Sequence, residues 1–253
     1  MPVVVALALA LALAACTGSD PAPSSSARTT FGPTPSAAPT PTVTPTPTPS
    51  PSPTPTAAAA GTYLALGDSL AVGVGATRPQ ETGYVARLFA EQPAVEELAN
   101  LAVSGETSGS MIRNGQLASA IEAIAAGDPP VTLVTLDIGG NDLLQLLRTE
   151  TCAASPQGPD CLRLLALTLE DFEANYRQII GELTDALDAR APDARLAVMT
   201  YFNAFSGTDA AYEAAGELAL LGADGRVDCE ADDARSRGIN DIIACVGEEL
   251  GAI

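Results

Sequence analysis

Short apolar runs alternate with helical segments from residue 62 to the end of the chain, and this alternation limits the possible folds most strongly. The apolar runs that predict strands cover residues 63–66, 95–102, 131–138 and 196–202. Segments with apolar residues at helical spacing lie between and after them, at 84–90, 112–126, 170–189 and 239–250. Because parallel strands need long crossover connections, this order favours a parallel sheet with helices on both faces. The sequence therefore predicts a three-layer α/β/α domain over residues 61–253.

The carboxyl end of the chain has the pattern of an unfinished sheet. The last helical segment is followed by Gly251, a residue type that commonly ends helices in the left-handed conformation. Ala252 and Ile253 would then begin a further strand. We therefore expect that the last strand and helix of the domain are missing from these 253 residues.

The first 60 residues have compositions that do not suit a folded domain. Residues 1–15 are apolar without a break, too few for the ~20 that span a membrane, and predict a signal peptide. Cys16 follows Leu-Ala-Ala, which resembles a bacterial lipobox and implies cleavage before Cys16 and lipidation of its thiol. An ordinary signal peptide with an incidental Cys16 is the alternative. Residues 17–60 are mostly Thr, Pro, Ser and Ala, and predict a disordered, extended linker.

These segments together predict a location outside the cytoplasm. A lipid on Cys16 would anchor the protein to the membrane of a bacterial cell envelope, with the linker holding the domain away from it. The alternative signal peptide would release a secreted protein.

The charge balance argues against a nucleic-acid partner. The chain has 31 Asp and Glu against 12 Lys and Arg, a net charge of -19. The only charged residues of the linker, Asp20 and Arg28, cancel, so the whole net charge lies on residues 61–253. Neutralising phosphates requires clustered Lys and Arg, and no such cluster occurs in the sequence.

The cysteines predict disulfides rather than a metal site. With Cys16 assigned to the lipid, four of the five cysteines remain, and three pairings are open to them. A signal peptide places them in an oxidising compartment. The local pairs are favoured, namely Cys152 with Cys161 and Cys229 with Cys245. Zinc is the other use of four cysteines, but it prefers more closely spaced ligand pairs, so we expect no metal.

Polar and glycine motifs follow three successive predicted strands. They are GDSL at 67–70, VSGET at 103–107 and GGND at 139–142. Because the carboxyl ends of parallel strands meet at one edge of a sheet, these motifs should converge on one crevice. A serine on a tight turn after a strand can expose its hydroxyl. Taken alone, the first motif would fit a turn or a helix cap equally well.

The three motifs together, in this order and spacing, resemble the GDSL/SGNH hydrolase family of lipases and esterases over residues 62–203. The resemblance implies a flavodoxin-like parallel sheet and cleavage of small acyl esters or lipids through an acyl-serine intermediate. Ser69 would be the nucleophile, and its N–H, the Gly105 N–H and the Asn141 amide would form the oxyanion hole. This chemistry needs no cofactor. Asp68 and Asp142 are expected to be structural.

The sequence departs from the family in the last motif, a late Asp-x-x-His that supplies the catalytic base. The chain contains no histidine. Because removing the histidine of an activated serine costs ~10⁶ in rate, we expect little ester hydrolysis by these residues alone. One interpretation is an incomplete serine hydrolase. The other is a non-catalytic, envelope-anchored binding module with the same fold, and the DNA beyond codon 253 would separate the two.

Overall fold

A computed structural model describes residues 61–229 and 237–253 of the protein. These residues contain a four-stranded sheet with the order β2-β1-β3-β4, in which every neighbouring pair is parallel. The strands are β1 (Gly61–Gly67), β2 (Val95–Asn100), β3 (Val131–Asp137) and β4 (Arg195–Val198). The predicted parallel α/β architecture is therefore confirmed.

Helices fill every connection between these strands. Helices α1 (Ser69–Val72), α2 (Pro79–Thr82) and α3 (Tyr84–Ala90) join β1 to β2, and α4 (Ser108–Arg113) and α5 (Gln116–Ala126) join β2 to β3. The connection from β3 to β4 holds α6 (Gly140–Leu147), α7 (Glu150–Ala154) and the long α8 (Pro159–Arg190). Helices α9 (Ala210–Leu221) and α10 (Ile239–Glu249) follow β4.

The two faces of β1 explain the layering. Side chains alternate along a strand, so residues two apart share a face. Tyr63 and Ala65 pack with Ala71 and Val85, which belong to α1 and α3. Leu64 and Leu66 enter the larger core on the other face, which the apolar sides of α5, α8 and α10 complete.

Several predicted boundaries were wrong. Helix α8 begins at Pro159 rather than 170. Its first turns were not predicted, because the exposed Leu162 and Leu167 interrupt the apolar stripe there. The helix predicted over 112–126 is two helices, α4 and α5, separated at Asn114 and Gly115. Helix α9 was missed, because its alanine-rich sequence, AAYEAAGELALL, gives no clear polar face.

The fourth strand is shorter than the predicted 196–202. It ends at Val198, because the chain then turns to the side chain of Asn240 in α10. The Tyr201 N–H donates to Asn240 Oδ1 at 2.8 Å, and Asn240 Nδ2 donates to the Tyr201 carbonyl at 2.8 Å. These bonds occupy both backbone polar groups of Tyr201, which can no longer join the strand ladder.

Ile253 lies beside β4, on the edge that β3 does not occupy. Its N–H donates to the Leu196 carbonyl at 2.9 Å, and its carbonyl accepts from the Val198 N–H at 2.9 Å. This is the hydrogen-bond pattern of a parallel neighbour. The strand order β2-β1-β3-β4 matches the first four positions of the flavodoxin-like arrangement.

Both predicted cysteine pairs are bonded. Cys152–Cys161 links α7 to α8, and Cys229–Cys245 links the segment before α10 to that helix. The predicted signal peptide, Cys16 and the linker lie outside the described residues. Within 61–229 and 237–253, none of the helices has the length and apolar character needed to cross a membrane.

Candidate active site

The three motifs meet at the carboxyl edge of the sheet, beside the neighbouring strands β1 and β3. The chain leaves β1 for one face of the sheet and β3 for the other, so a crevice opens between them, where ligands bind in open α/β sheets. Ser69 is the first residue of α1 and is half-buried. Asn141 is the second residue of α6, and the exposed Gly105 lies in the loop after β2.

The turn that carries Ser69 depends on Gly67. This glycine has φ of +127°, and a Cβ there would lie 2.0 Å from Asp137 Oδ1 and 2.2 Å from the Asp137 carbonyl oxygen. Glycine therefore permits both the left-handed conformation and the close approach of β1 to β3. Asp68 then caps α1, its Oδ1 accepting from the Leu70 N–H at 2.9 Å. Ser69 is thereby fixed on a short, tightly bonded turn.

Asn141 connects all three motifs. Its Nδ2 donates to Asp68 Oδ2 at 3.0 Å and to the Glu106 carbonyl at 2.9 Å. Asp68 precedes Ser69 in the chain, and Glu106 follows Gly105. One side chain thus brings the predicted nucleophile and the predicted oxyanion donors to the same place. Both Nδ2 hydrogens already have acceptors within the protein.

Two backbone donors at this edge have no acceptor among the residues that the structure describes. Gly105 has φ of +84°, and its N–H makes no hydrogen bond within the described part of the chain. The Ser69 N–H is the first of α1, where helical N–H groups have no partner inside the helix. Both can donate to an oxygen atom that enters the crevice.

The side chains of Gln116 and Glu106 form a network that holds Gly67, two residues before Ser69. The buried Gln116 side chain accepts from the Gly67 N–H at 2.8 Å and donates to the Gly67 carbonyl at 3.0 Å. Its Nε2 also lies 3.3 Å from Glu106 Oε2, and the Ser110 hydroxyl donates to the other Glu106 oxygen. This network was not predicted, because no local sequence pattern marks a glutamine that bonds a residue 49 positions away.

Asp137 is a fully buried carboxyl group beside Asp68. Its Oδ2 accepts from the Ala71 N–H at 3.1 Å, and its Oδ1 accepts from the Tyr84 hydroxyl at 3.2 Å. Burial and, next, the negative charge of Asp68 raise the pKa of Asp137 to about 8. Burial also raises the pKa of Asp68, although the hydrogen bond from the Leu70 N–H opposes this shift. Asp137 therefore holds its proton more tightly than an ordinary carboxyl group does.

Asp137 was not among the predicted site residues. The signal for it was present, since it is the only ionisable residue in the predicted strand 131–138. A carboxyl group in a buried strand requires a partner or a raised pKa.

Tyr201 also belongs to the site. Its hydroxyl lies 3.5 Å from Asp68 Oδ2, and a Cβ on Gly140 would lie 2.9 Å from its ring. Burial and the nearby Asp68 charge raise the pKa of Tyr201 well above its usual value. Tyr201 was not predicted as a site residue, because it lies in the segment 196–202 that was predicted as a strand.

The Asp142 side chain joins α6 to α4. Its Oδ1 accepts from the Ser108 hydroxyl at 2.7 Å, and its Oδ2 accepts from the Ser108 N–H at 3.0 Å. Asn175 of α8 donates to the same hydroxyl at 3.1 Å. These contacts agree with the structural role expected for Asp142.

An apolar cavity of about 190 Å³ opens beside Ser69. Its polar end holds Asp68, Ser69 and Asn141. Beyond them its walls are apolar and include Leu143, Leu146 and Leu147 of α6, Leu165 of α8 and Leu220 of α9. Among the described residues, no three His, Cys, Asp or Glu side chains lie close enough together to hold a metal ion.

Known proteins resemble this chain to different extents. A lipase from Streptomyces rimosus is 30% identical over 142 residues, which cover 55% of this chain and 52% of that protein. The chain thus spans about half the length of this curated relative. An extracellular lipase from Streptomyces rimosus of known structure is 24% identical, with 76% of this chain and 78% of that chain covered and a TM-score of 0.45. A phospholipase A1 from Streptomyces albidoflavus of known structure is 22% identical, with 77% of this chain and 78% of that chain covered and a TM-score of 0.47.

The family comparison covers most of the domain. The model of the GDSL-like lipase/acylhydrolase family matches residues 65–252. This range includes all three motifs and the elements that carry them, from the end of β1 to α10. The chain therefore belongs to the GDSL-like lipase/acylhydrolase family.

Proposed function

We propose that this site hydrolyses acyl esters through Ser69. The Ser69 hydroxyl attacks the ester carbonyl carbon, and its proton passes to a general base. The base then protonates the leaving alcohol, which departs and leaves an acyl-serine. Water attacks the acyl-serine in the same way and restores the Ser69 hydroxyl. Membership of the acylhydrolase family supports this assignment.

The observation that carries the proposal is the bridge made by Asn141. The bridge joins Asp68 to Glu106 and so holds the Ser69 turn next to the Gly105 loop. A carbonyl oxygen in the crevice would meet the N–H groups of Ser69 and Gly105. To bond this oxygen as well, Asn141 Nδ2 would exchange one of its two acceptors, Asp68 Oδ2 or the Glu106 carbonyl. Oxyanion donors of this kind are typically worth ~10²–10³ in rate each.

No residue of these 253 is assigned as the general base. The sequence contains no histidine. Asp68 is next to Ser69, and its two oxygens accept from the Leu70 N–H and from Asn141 Nδ2, which ties it to α1 and to α6. This bonding suits the expected structural role of Asp68. We therefore propose that the 253 residues alone turn over esters slowly and that a longer polypeptide supplies the base.

The location we propose is outside the cytoplasm. The two disulfides support it, since disulfides persist in oxidising compartments. The similarity to an extracellular Streptomyces lipase supports it further. A signal peptide at 1–15, a lipid on Cys16, a linker to residue 60 and a domain from residue 61 remain our proposal for the chain's organisation.

The function is tested by hydrolysis of 4-nitrophenyl esters. The polypeptide translated from the complete gene is compared with its Ser69→Ala variant and with the 253-residue chain. We expect Ser69→Ala to lower kcat by about 10⁴-fold or more, because the reaction loses its nucleophile. Ser104→Ala, which removes an exposed hydroxyl next to Gly105, should leave kcat unchanged. Hydrolysis that does not depend on Ser69, or none at all, would overturn the proposal.

The alternative is a binding module that holds an acyl ligand without turnover. The absence of histidine from the sequence favours this alternative. A stop codon directly after codon 253, together with ligand binding but no Ser69-dependent hydrolysis, would establish it. A reading frame that continues into Asp-x-x-His, together with Ser69-dependent hydrolysis, would exclude it.

A further inference from the structure

We propose that Asp137 is a positioning residue for Ser69, because its peptide and its carboxyl group bond the chain on both sides of the turn that carries Ser69. The inference rests on the proposed function and adds to the site a residue that none of the three sequence motifs contains. It requires that the carboxyl group hold the turn, so that its loss slows the reaction more than it weakens substrate binding.

The backbone before Ser69 adjoins Asp137 directly. Asp137 is the last residue of β3 and lies opposite Gly67 in the register of the two strands. Its carbonyl accepts from the Asp68 N–H at 3.1 Å. A Cβ on Gly67 would lie 2.0 Å from Asp137 Oδ1, so this carboxyl oxygen limits where the chain before Ser69 can lie.

The same carboxyl group bonds the chain after Ser69. The Ala71 N–H donates to Asp137 Oδ2 at 3.1 Å, and Ala71 is 2% exposed. A buried N–H that loses its acceptor is costly, so this bond fixes the first turn of α1 against β3. Ser69 thus lies between two points of the chain that one side chain holds.

Asp137 also bonds the side chain of Asp68, which precedes Ser69. A hydrogen bond joins the two carboxyl groups. Two ionised carboxylates would repel each other here, so the bond needs a proton that the pair shares. Burial and, next, the charge of Asp68 raise the pKa of Asp137, which keeps that proton in place.

Tyr84 of α3 fixes the orientation of the Asp137 carboxyl group. Its hydroxyl donates to Asp137 Oδ1 at 3.2 Å. Because a donor stabilises the ionised form of a carboxyl group, this bond opposes the rise in the pKa of Asp137. Without the Tyr84 hydroxyl, Asp137 should therefore keep its proton to a higher pH.

The other titratable groups near this pair are Tyr63 of β1, Tyr201 after β4 and, beside Asp68, Asp142 of α6. Burial is the main cause that raises the pKa of each. The tyrosines therefore stay neutral while Asp137 titrates. Within 61–229 and 237–253, no Lys or Arg forms an ion pair with either carboxyl group.

The pH profile of kcat tests the inference in the polypeptide translated from the complete gene, with a 4-nitrophenyl ester. The protonated pair holds the turn, so kcat should fall as pH rises through the pKa of Asp137, about 8. Asp137→Asn keeps a donor for Asp68 and cannot ionise. It should keep kcat within about tenfold of the native value at neutral pH and lose the alkaline fall.

Two further variants complete this comparison. Tyr84→Phe should move the alkaline fall to higher pH, because the ionised form of Asp137 loses a donor. Asp188→Asn makes the same chemical change at an exposed position of α8 and should keep the native profile.

Asp137→Leu removes every side-chain bond to the turn. We expect kcat to fall about 10²-fold, the typical cost of displacing a reacting group by about 1 Å. KM should change little, since Asp137 does not line the cavity beside Ser69. Urea unfolding verifies that the variant is folded, and if it is not, the profiles of Asp137→Asn and Tyr84→Phe decide.

Amide hydrogen exchange tests the same contacts without catalysis. In the 253-residue chain, the Ala71 N–H should exchange at least about tenfold faster in folded Asp137→Leu than in the native protein or in Asp188→Asn. NMR measures the rate at this one amide.

Three results would overturn the inference. They are an alkaline fall in Asp137→Asn that matches the native one, a folded Asp137→Leu with native kcat, and exchange at Ala71 that Asp137→Leu leaves unchanged. Absence of Ser69-dependent hydrolysis in the native protein would be a failure of the proposed function instead. The exchange rate at Ala71 would then still decide whether Asp137 holds the turn.

Discussion

At the scale of the residue, the site combines a glycine that the close contact between two strands requires, Gly67, with a fully buried carboxyl group, Asp137. Gly67 permits the contact between β1 and β3, and the atoms it contacts belong to Asp137. A buried carboxyl group is costly when ionised, and Asp137 lies next to a second carboxyl group, Asp68. The protonated form of Asp137 therefore fits this position, and its pKa of about 8 reflects that preference.

The raised pKa of Asp137 predicts a pH dependence of stability. The folded protein keeps this proton up to about pH 8, whereas the unfolded chain releases it near the usual value of 3.8. The folded state therefore binds more protons in this range, and the free energy of unfolding should fall as pH rises from about 4 to about 8.

The Asp137→Asn variant, which stays neutral, isolates this effect. Its free energy of unfolding, measured with urea at several pH values, should fall less steeply than that of the native protein between about pH 5 and pH 8. Parallel curves for the two proteins would mean that Asp137 is not protonated in the folded state.

At the scale of the element, α5 holds the end of β1 in place. Gln116, its first residue, forms two hydrogen bonds to the Gly67 peptide, two positions before Ser69. The sequence predicted a single helix over 112–126 and offered no reason to place a glutamine beside the turn that carries Ser69. Such contacts join residues far apart in sequence, so helical periodicity cannot reveal them.

Gln116→Ala should therefore destabilise the protein. It leaves the buried N–H of Gly67 without its acceptor, whereas the Gly67 carbonyl keeps the Val103 N–H at 3.0 Å, so the cost should be about 1–3 kcal/mol. Urea unfolding measures the change. Gln178→Ala is the control, because Gln178 bonds Glu182 on the exposed face of α8, and its loss should cost less than about 0.5 kcal/mol. Equal effects of the two substitutions would contradict the role of Gln116.

At the scale of the whole molecule, much of the site was predictable because the strands are parallel. Once GDSL, VSGET and GGND were placed after successive strands, the common edge of the sheet followed from topology alone. The local disulfide pairs followed from spacing. Tyr201 did not, since it is 133 residues from Asp68 and owes its position to Asn240 in α10. Helix α9 and the cavity it lines depend on packing, which sequence periodicity does not encode.

Whether Ser69 is an activated nucleophile is tested by fluorophosphonate labelling. The polypeptide translated from the complete gene is treated with the reagent, and the adduct is located by mass spectrometry. We expect one adduct on Ser69 that Ser69→Ala abolishes and Ser104→Ala retains. An adduct on another serine, or no adduct in the folded protein, would contradict it.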